Sequence, residues 1–160
     1  MAVADIHLKL TDIEGESRDD KHSKELHIEH WSMGVSNHGS AHRGGGAGTS
    51  RADLQDLSCQ MTLDKASPNL WLNCCTGKHI SEVVLTQRES GETPQEYLKI
   101  TLNEVLISSY QMSSSGGAKP GVSFSLNFAK AKFEYSPQKE DGSMDAKVTQ
   151  GFDVAANKKV

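Results

Sequence analysis

The chain has 160 residues, of which 36% are apolar and 24% charged, and a formal charge of -4 at neutral pH. Those proportions argue against disorder and against a strongly basic nucleic-acid surface. At this length a single domain, residues 1–160, is the simplest organisation, and folding hides roughly 70% of the surface that the unfolded chain exposes.

The first ten residues, Met1-Ala-Val-Ala-Asp-Ile-His-Leu-Lys-Leu10, have neither the positive n-region nor the long apolar h-region of a secretory signal. No later run is long and apolar enough to span a bilayer, so the expectation is a protein folded in the cytosol without membrane insertion. The three cysteines are odd in number, Cys74 and Cys75 are adjacent, and no C-x-x-C spacing occurs. Buried reduced thiols follow from that pattern.

Ile6, Leu8 and Leu10 alternate with polar residues and predict a strand, ended by the turn-rich segment from Thr11 to Asp20 with Gly15 as pivot. In the next strand Leu26 and Ile28 occupy even positions and Met33 and Val35 odd ones. Its apolar face therefore switches around His30 and Trp31, which predicts a bulge. From Ser36 to Arg51 no large apolar side chain appears, and the composition predicts a long extended loop that is a binding loop, a lid or a disordered segment.

Leu57, Cys59, Met61 and Leu63 form another alternating strand. It leads into one short α-helix from about Pro68 to Thr76, with Ser67 as N-cap, Pro68 in the first turn and Gly77 as a left-handed stop. Isolated helices shorter than about 12 to 15 residues are marginal in water, so this one must dock. The strand from Ile80 to Arg88, apolar on both faces, is the expected surface. A long strand from Tyr97 to Tyr110 carries Leu98, Ile100, Leu102 and Leu106 in one phase. The following strand changes phase between Phe128 and Phe133, and Val148, Gln150, Phe152 and Val154 close the set. About seven strands, two of them bending from one sheet into another, predict a mainly β fold: an antiparallel β-barrel of two bent sheets.

Chemistry is sparse. Of the seven histidines, His22, His27 and His30 lie close together, but no cysteine or carboxylate completes a ligand set with recognisable spacing, and solvated strand histidines are expected instead of a metal site. Ser32 lacks a nucleophile elbow, and Gly44-Gly-Gly-Ala-Gly48 lacks the Lys-Ser/Thr ending of a phosphate loop. Glu14, Glu16, Asp19 and Asp20 read as a solvated acidic turn. No catalytic residue, cofactor or metal is expected, and the domain works through its surfaces. Trp31 as a stacking platform keeps a monomeric binding module for carbohydrate or protein as the alternative.

Asp12-Ile-Glu-Gly-Glu-Ser17, His30-Trp-Ser-Met-Gly34, the Gly-Gly-Gly-Ala-Gly48 loop, Asp64-Lys-Ala-Ser-Pro-Asn-Leu70, Gly77-Lys-His79, Glu96-Tyr-Leu98 and Ser108-Ser-Tyr110 occur in order. In that order and spacing the chain resembles the Hcp family, the hemolysin-coregulated proteins of the inner tube of bacterial type VI secretion systems, from about Ile6 to Asn157. The resemblance implies a non-enzymatic β-barrel protomer that forms homohexameric rings. The rings stack into a tube and are exported without a signal peptide, from the bacterial cytoplasm to the exterior or into a target cell.

The implied partners are further copies of the chain, the sheath, spike and baseplate proteins, and small effector proteins carried in the lumen. Ser32 and Trp31 match the channel-facing position and are the expected effector contacts. Asn37, His38, His42, Arg43, Gly44, Gly45, Gly46 and Gly48 belong to the matching loop, which implies contacts with neighbouring protomers and the next ring. The end at Val160, with no fused toxin domain, implies cargo carried noncovalently.

Overall fold

A computed structural model describes residues 4–37, 51–89 and 91–160. Among them the elements run β1 (Ala4–Leu10), β2 (Leu26–His27), β3 (His30–Ser32), β4 (Val35–Asn37), β5 (Ala52–Leu54), β6 (Leu57–Thr62), α1 (Ser67–Thr76) and β7 (Ile80–Glu89). They continue with β8 (Glu96–Ser113), β9 (Gly121–Tyr135), β10 (Val148–Asp153) and β11 (Lys158–Lys159). More strands form than the sequence suggests because several are only two or three residues long.

All strand pairings are antiparallel, and the long β8–β9 hairpin organises them. The first half of β9 takes β6 as its second neighbour, at Gly121 to Leu126, and the last part takes β10, at Lys130 to Tyr135. The hairpin therefore belongs to two bent sheets: β2-β1-β7-β8-β9-β10-β11 on one side and β3-β6-β9-β8 on the other. Among the described residues no continuous ladder closes a barrel. Instead, Ile28 N–H donates to Ile6 O at 2.9 Å and Glu29 N–H to Gln60 O at 2.8 Å, so the chain steps from β1 onto β6 between β2 and β3. The face switch near His30 thus arises from a change of partner rather than from a bulged residue.

The hairpin bends where both strands exchange faces. In β8 the buried positions pass from Leu98, Ile100 and Leu102 to Val105 and Ile107, and in β9 the partner of Leu102 is Ala131 while that of Val105 is Phe128. Glu104, between them, sits in the left-handed region at φ 52. The expected change of phase in β9 is present in the register, but Phe133 and Tyr135 beyond it stay 46% and 45% exposed, and Leu106 falls out of phase because β8 flips with β9.

Leu8, Leu26, Leu57, Leu85, Ile100, Leu102, Phe124 and Leu126, all at most 2% exposed, form the centre of the core between the sheets. The helix contributes less than its composition suggests. Leu70 is buried, yet Trp71 and Leu72 are 52% and 49% exposed, and α1 packs chiefly on β8 rather than on the expected β7. Burying one such leucine is worth about 2 kcal/mol, enough to hold a short helix whose ends are also fixed. Gly77 supplies the stop at φ 68, as expected. At the other end the cap residue is Ala66, not Ser67. The Ser67 hydroxyl accepts from Asp64 N–H at 3.1 Å, and the Asp64 carboxylate accepts from Ala66 N–H at 2.9 Å.

The outer face of β7 is covered by a strap, residues 14–25, where the sequence suggests a solvated turn. Asp19 pairs with Arg88, and His22 lies between Glu25 and Glu96. His7 and His22 are buried, contrary to the expectation of solvated histidines. Gly15, the expected turn pivot, does not adopt a positive φ. A Cβ there would lie 2.5 Å from the Glu25 carbonyl oxygen, and that close backbone approach is what requires glycine. Of the cysteines only Cys59 is buried, and Cys75 is exposed.

Candidate interaction face

β3 places Ser32 and Trp31 on opposite sides, as strand alternation demands. Ser32 is exposed. Trp31 is half-buried against the core, its indole N–H donating to Gln87 Oε1 at 2.9 Å, while Gln87 Nε2 donates to Tyr97 OH at 2.6 Å. This chain of hydrogen bonds ties the two sheets together across the end of the core. An indole fixed in that way offers no free stacking platform for a sugar, so Trp31 positions β3 and Ser32 alone of the two faces outward.

The register across the smaller sheet extends the Ser32 surface. Ser32 lies opposite Ser58, Ser58 opposite Ser125, and Ser125 opposite Ser109, one row of serines over four strands. The neighbouring row is His30, Gln60, Ser123 and Gln111. Cross-strand partners share a face, so these side chains form one surface. A register shift between Ile107 and Ser109 lets both Ser108 and Ser109 reach Ser125, at 2.7 and 2.5 Å. Asp56 then closes the row by accepting from Ser108 Oγ at 2.6 Å and from Asn127 Nδ2 at 2.9 Å.

The two rows carry no carboxylate, lysine or arginine. Beyond the second row the face opens into a groove of about 530 Å³ whose lining includes Glu29, Gln60, Gln111, Met112 and Ser123. Such a surface offers hydroxyl and amide donors and acceptors but little charge and little apolar area. It also lacks an activated nucleophile: Cys59 lies beneath it on the buried side, and burial pushes its thiol up to about 12. Among the described residues no group of three or more His, Cys, Asp or Glu side chains is placed to hold a metal ion. His27 and His30 are exposed on strands with different partners.

Of the loop positions, Asn37 belongs to β4, which pairs with β5 through Asn37 and Ala52, so the expected loop is shorter than Ser36 to Arg51 by its strand stem. His38, His42, Arg43, Gly44, Gly45, Gly46 and Gly48 lie outside the described residues. At the far end of the loop the Arg51 guanidinium donates to the Val154 carbonyl at 3.3 Å.

The serine row was not read from the sequence. Its signal is present, since polar residues alternate with buried ones in Leu57-Ser-Cys-Gln and Val122-Ser-Phe-Ser, but only the strand register assembles the row.

This bent two-sheet fold is that of a type VI secretion system protein. The model for "Type VI secretion system effector, Hcp" matches residues 7–135. Protein hcp1 of Pseudomonas aeruginosa is 43% identical over 160 residues, covering 98% of each chain. Among solved structures, one described as a type six secretion system protein superposes with a TM-score of 0.92 at 26% identity, over 99% of this chain and 100% of the other. Hcp1 from Salmonella typhimurium superposes at 0.80 with 31% identity over the whole of both chains. The chain belongs to the Hcp family. That family is one of secreted type VI components and is not a known enzyme family. Among the described residues no helix is long and apolar enough to cross a membrane.

Proposed function

We propose that the chain is the non-enzymatic tube protomer of a type VI secretion system, forming hexameric rings that stack, travel out of the cell, and carry small effector proteins in the lumen. The observation that carries this reading is the hydroxyl- and amide-lined sheet face around Ser32, which carries little charge. A channel wall that must hold a folded cargo and then release it needs weak, unspecific polar contacts repeated around a ring, and repetition supplies avidity that no single protomer has. The edges of β3, β8 and β10 are suited to heterologous contacts with neighbouring copies, which close into rings when the rotation closes. The loop expected between Ser36 and Arg51 is assigned to contacts with neighbouring copies in this reading. Sheath, spike and baseplate proteins are the further partners.

Solution mass by light scattering, with negative-stain images of the same fractions, tests the assembly. A six-fold ring with a central hole is expected, and a strict monomer over a wide concentration range overturns the reading. Ser32→Gln is expected to leave that mass unchanged while reducing co-purification of a tagged effector from the same secretion system by roughly tenfold, about 1.4 kcal/mol. Unchanged retention would remove Ser32 from the cargo contact.

A further inference from the structure

Residues 14–25, Glu-Gly-Glu-Ser-Arg-Asp-Asp-Lys-His-Ser-Lys-Glu, contain no apolar side chain, yet they lie packed on the outer face of β1 and β7. Apolar pins stand only at the margins, Ile13 at 5% and Leu26 at 0% exposed. Asp12 and Lys24, in the left-handed region at φ 67 and 64, mark the two ends of the segment. Within it the backbone closes on itself through Gly15 N–H to Lys24 O, Ser17 N–H to Glu25 O and Lys24 N–H to Ser17 O, at 2.7 to 3.1 Å.

What fastens this closed strap to the sheet is almost wholly ionisable. Arg88 of β7 pairs with Asp19 of the strap and, at 3.5 Å, with Asp5 of β1. His22 of the strap sets Nδ1 2.6 Å from Glu25 and Nε2 2.6 Å from Glu96 of β8. His7 of β1 is stacked on His22 with ring centroids 4.7 Å apart and planes 8° from parallel, and meets His27 of β2 edge-on at 5.8 Å. His7 is 4% exposed and its Nδ1 has no hydrogen-bond partner. A cationic imidazole at that place would be desolvated and would face His22 and Arg88.

We infer that residues 14–25 form an acid-sensitive latch: His7 stays neutral beneath the closed strap and takes up a proton when the strap lifts, so acidification opens this segment while the two sheets remain folded. Burial first, then the neighbouring His22 and Arg88, lowers His7 from 6.5 to about 4. The open form binds one more proton than the closed form between those values, so the open population rises as pH falls through that window and levels off below it. Asp19 acts in the same direction at lower pH, because Arg88 holds its carboxyl well below the usual range and the ion pair is lost once it is protonated. The proposal does not depend on the tube reading, since it concerns one protomer.

Hydrogen exchange measured by NMR, corrected for the intrinsic pH dependence, tests the latch. The Gly15, Ser17, Lys24 and Glu25 amides are expected to lose protection about tenfold per pH unit between pH 6.5 and 5, with Leu85 and Ile100 unchanged. His7→Phe, which keeps a flat ring and removes the titration, is expected to flatten that dependence. Should this variant not fold, the His7 ring protons of the native protein must titrate in step with strap opening. A pH-independent strap, a parallel loss of protection in the core, a His7→Phe variant that keeps the slope, or a His7 ring out of step with opening would each overturn the latch.

Discussion

Arg88→Ala is expected to destabilise the protein by about 3 kcal/mol, at the low end of the range for breaking a buried ion pair. The guanidinium side chain is 5% exposed, but its partners Asp19 and Asp5 are 28% and 33% exposed, so water relieves part of the penalty once they are left alone. Much of the loss comes from removing the guanidinium that pairs Asp19 of the strap with β7. For a chain of this length, about 3 kcal/mol corresponds to a fall in Tm of roughly 6 to 12 °C, read at fixed protomer concentration because assembly also stabilises the fold. The double variant Arg88→Ala with Asp19→Ala separates the causes. If the unpaired carboxylate dominates, the double variant is less destabilised than Arg88→Ala alone; simple additivity would mean that the two side chains act independently.

Gly15→Ala is the second large effect, about 1 to 3 kcal/mol, by overpacking. The added methyl would sit 2.5 Å from the Glu25 carbonyl oxygen and 3.0 Å from the Leu26 Cα, both backbone atoms that cannot rotate away. Relief requires breaking the 2.7 Å bond from Gly15 N–H to Lys24 O, and with it the closed form of the strap. Chemical denaturation should report the loss, with Gly117→Ala as control because a Cβ there meets nothing within 4 Å. A Gly15→Ala variant as stable as Gly117→Ala would mean that the strap is not held as described.

The strands were legible where side-chain alternation decides burial. Leu57, Cys59 and Met61 are buried and the residues between them exposed, as a period of two requires. Gly77 and Pro68 were legible because their backbone chemistry is local. The strap was not. A segment without apolar residues gives no periodicity, and its burial comes from Arg88, His7 and His22, which are distant in sequence or read as surface residues. The helix misled for the opposite reason: Trp71 and Leu72 have core composition, but its short contact with β8 leaves only the Leu70 side buried. Ser32 was recognisable as a candidate from its motif, whereas Ser58, Ser125 and Ser109 were not, because a surface row exists only once strands are placed in register.

The hairpin shared by both sheets sets an order of assembly. β8 and β9 are neighbours in sequence, so their pairing closes a short loop, whereas β1 must close a loop across most of the chain's first half to reach β7. Local pairings form at lower entropic cost, so the expected folding nucleus is the hairpin, around Ile107 and Leu126. The two sheets then condense on its two halves, and β1 with the segment that follows it docks last.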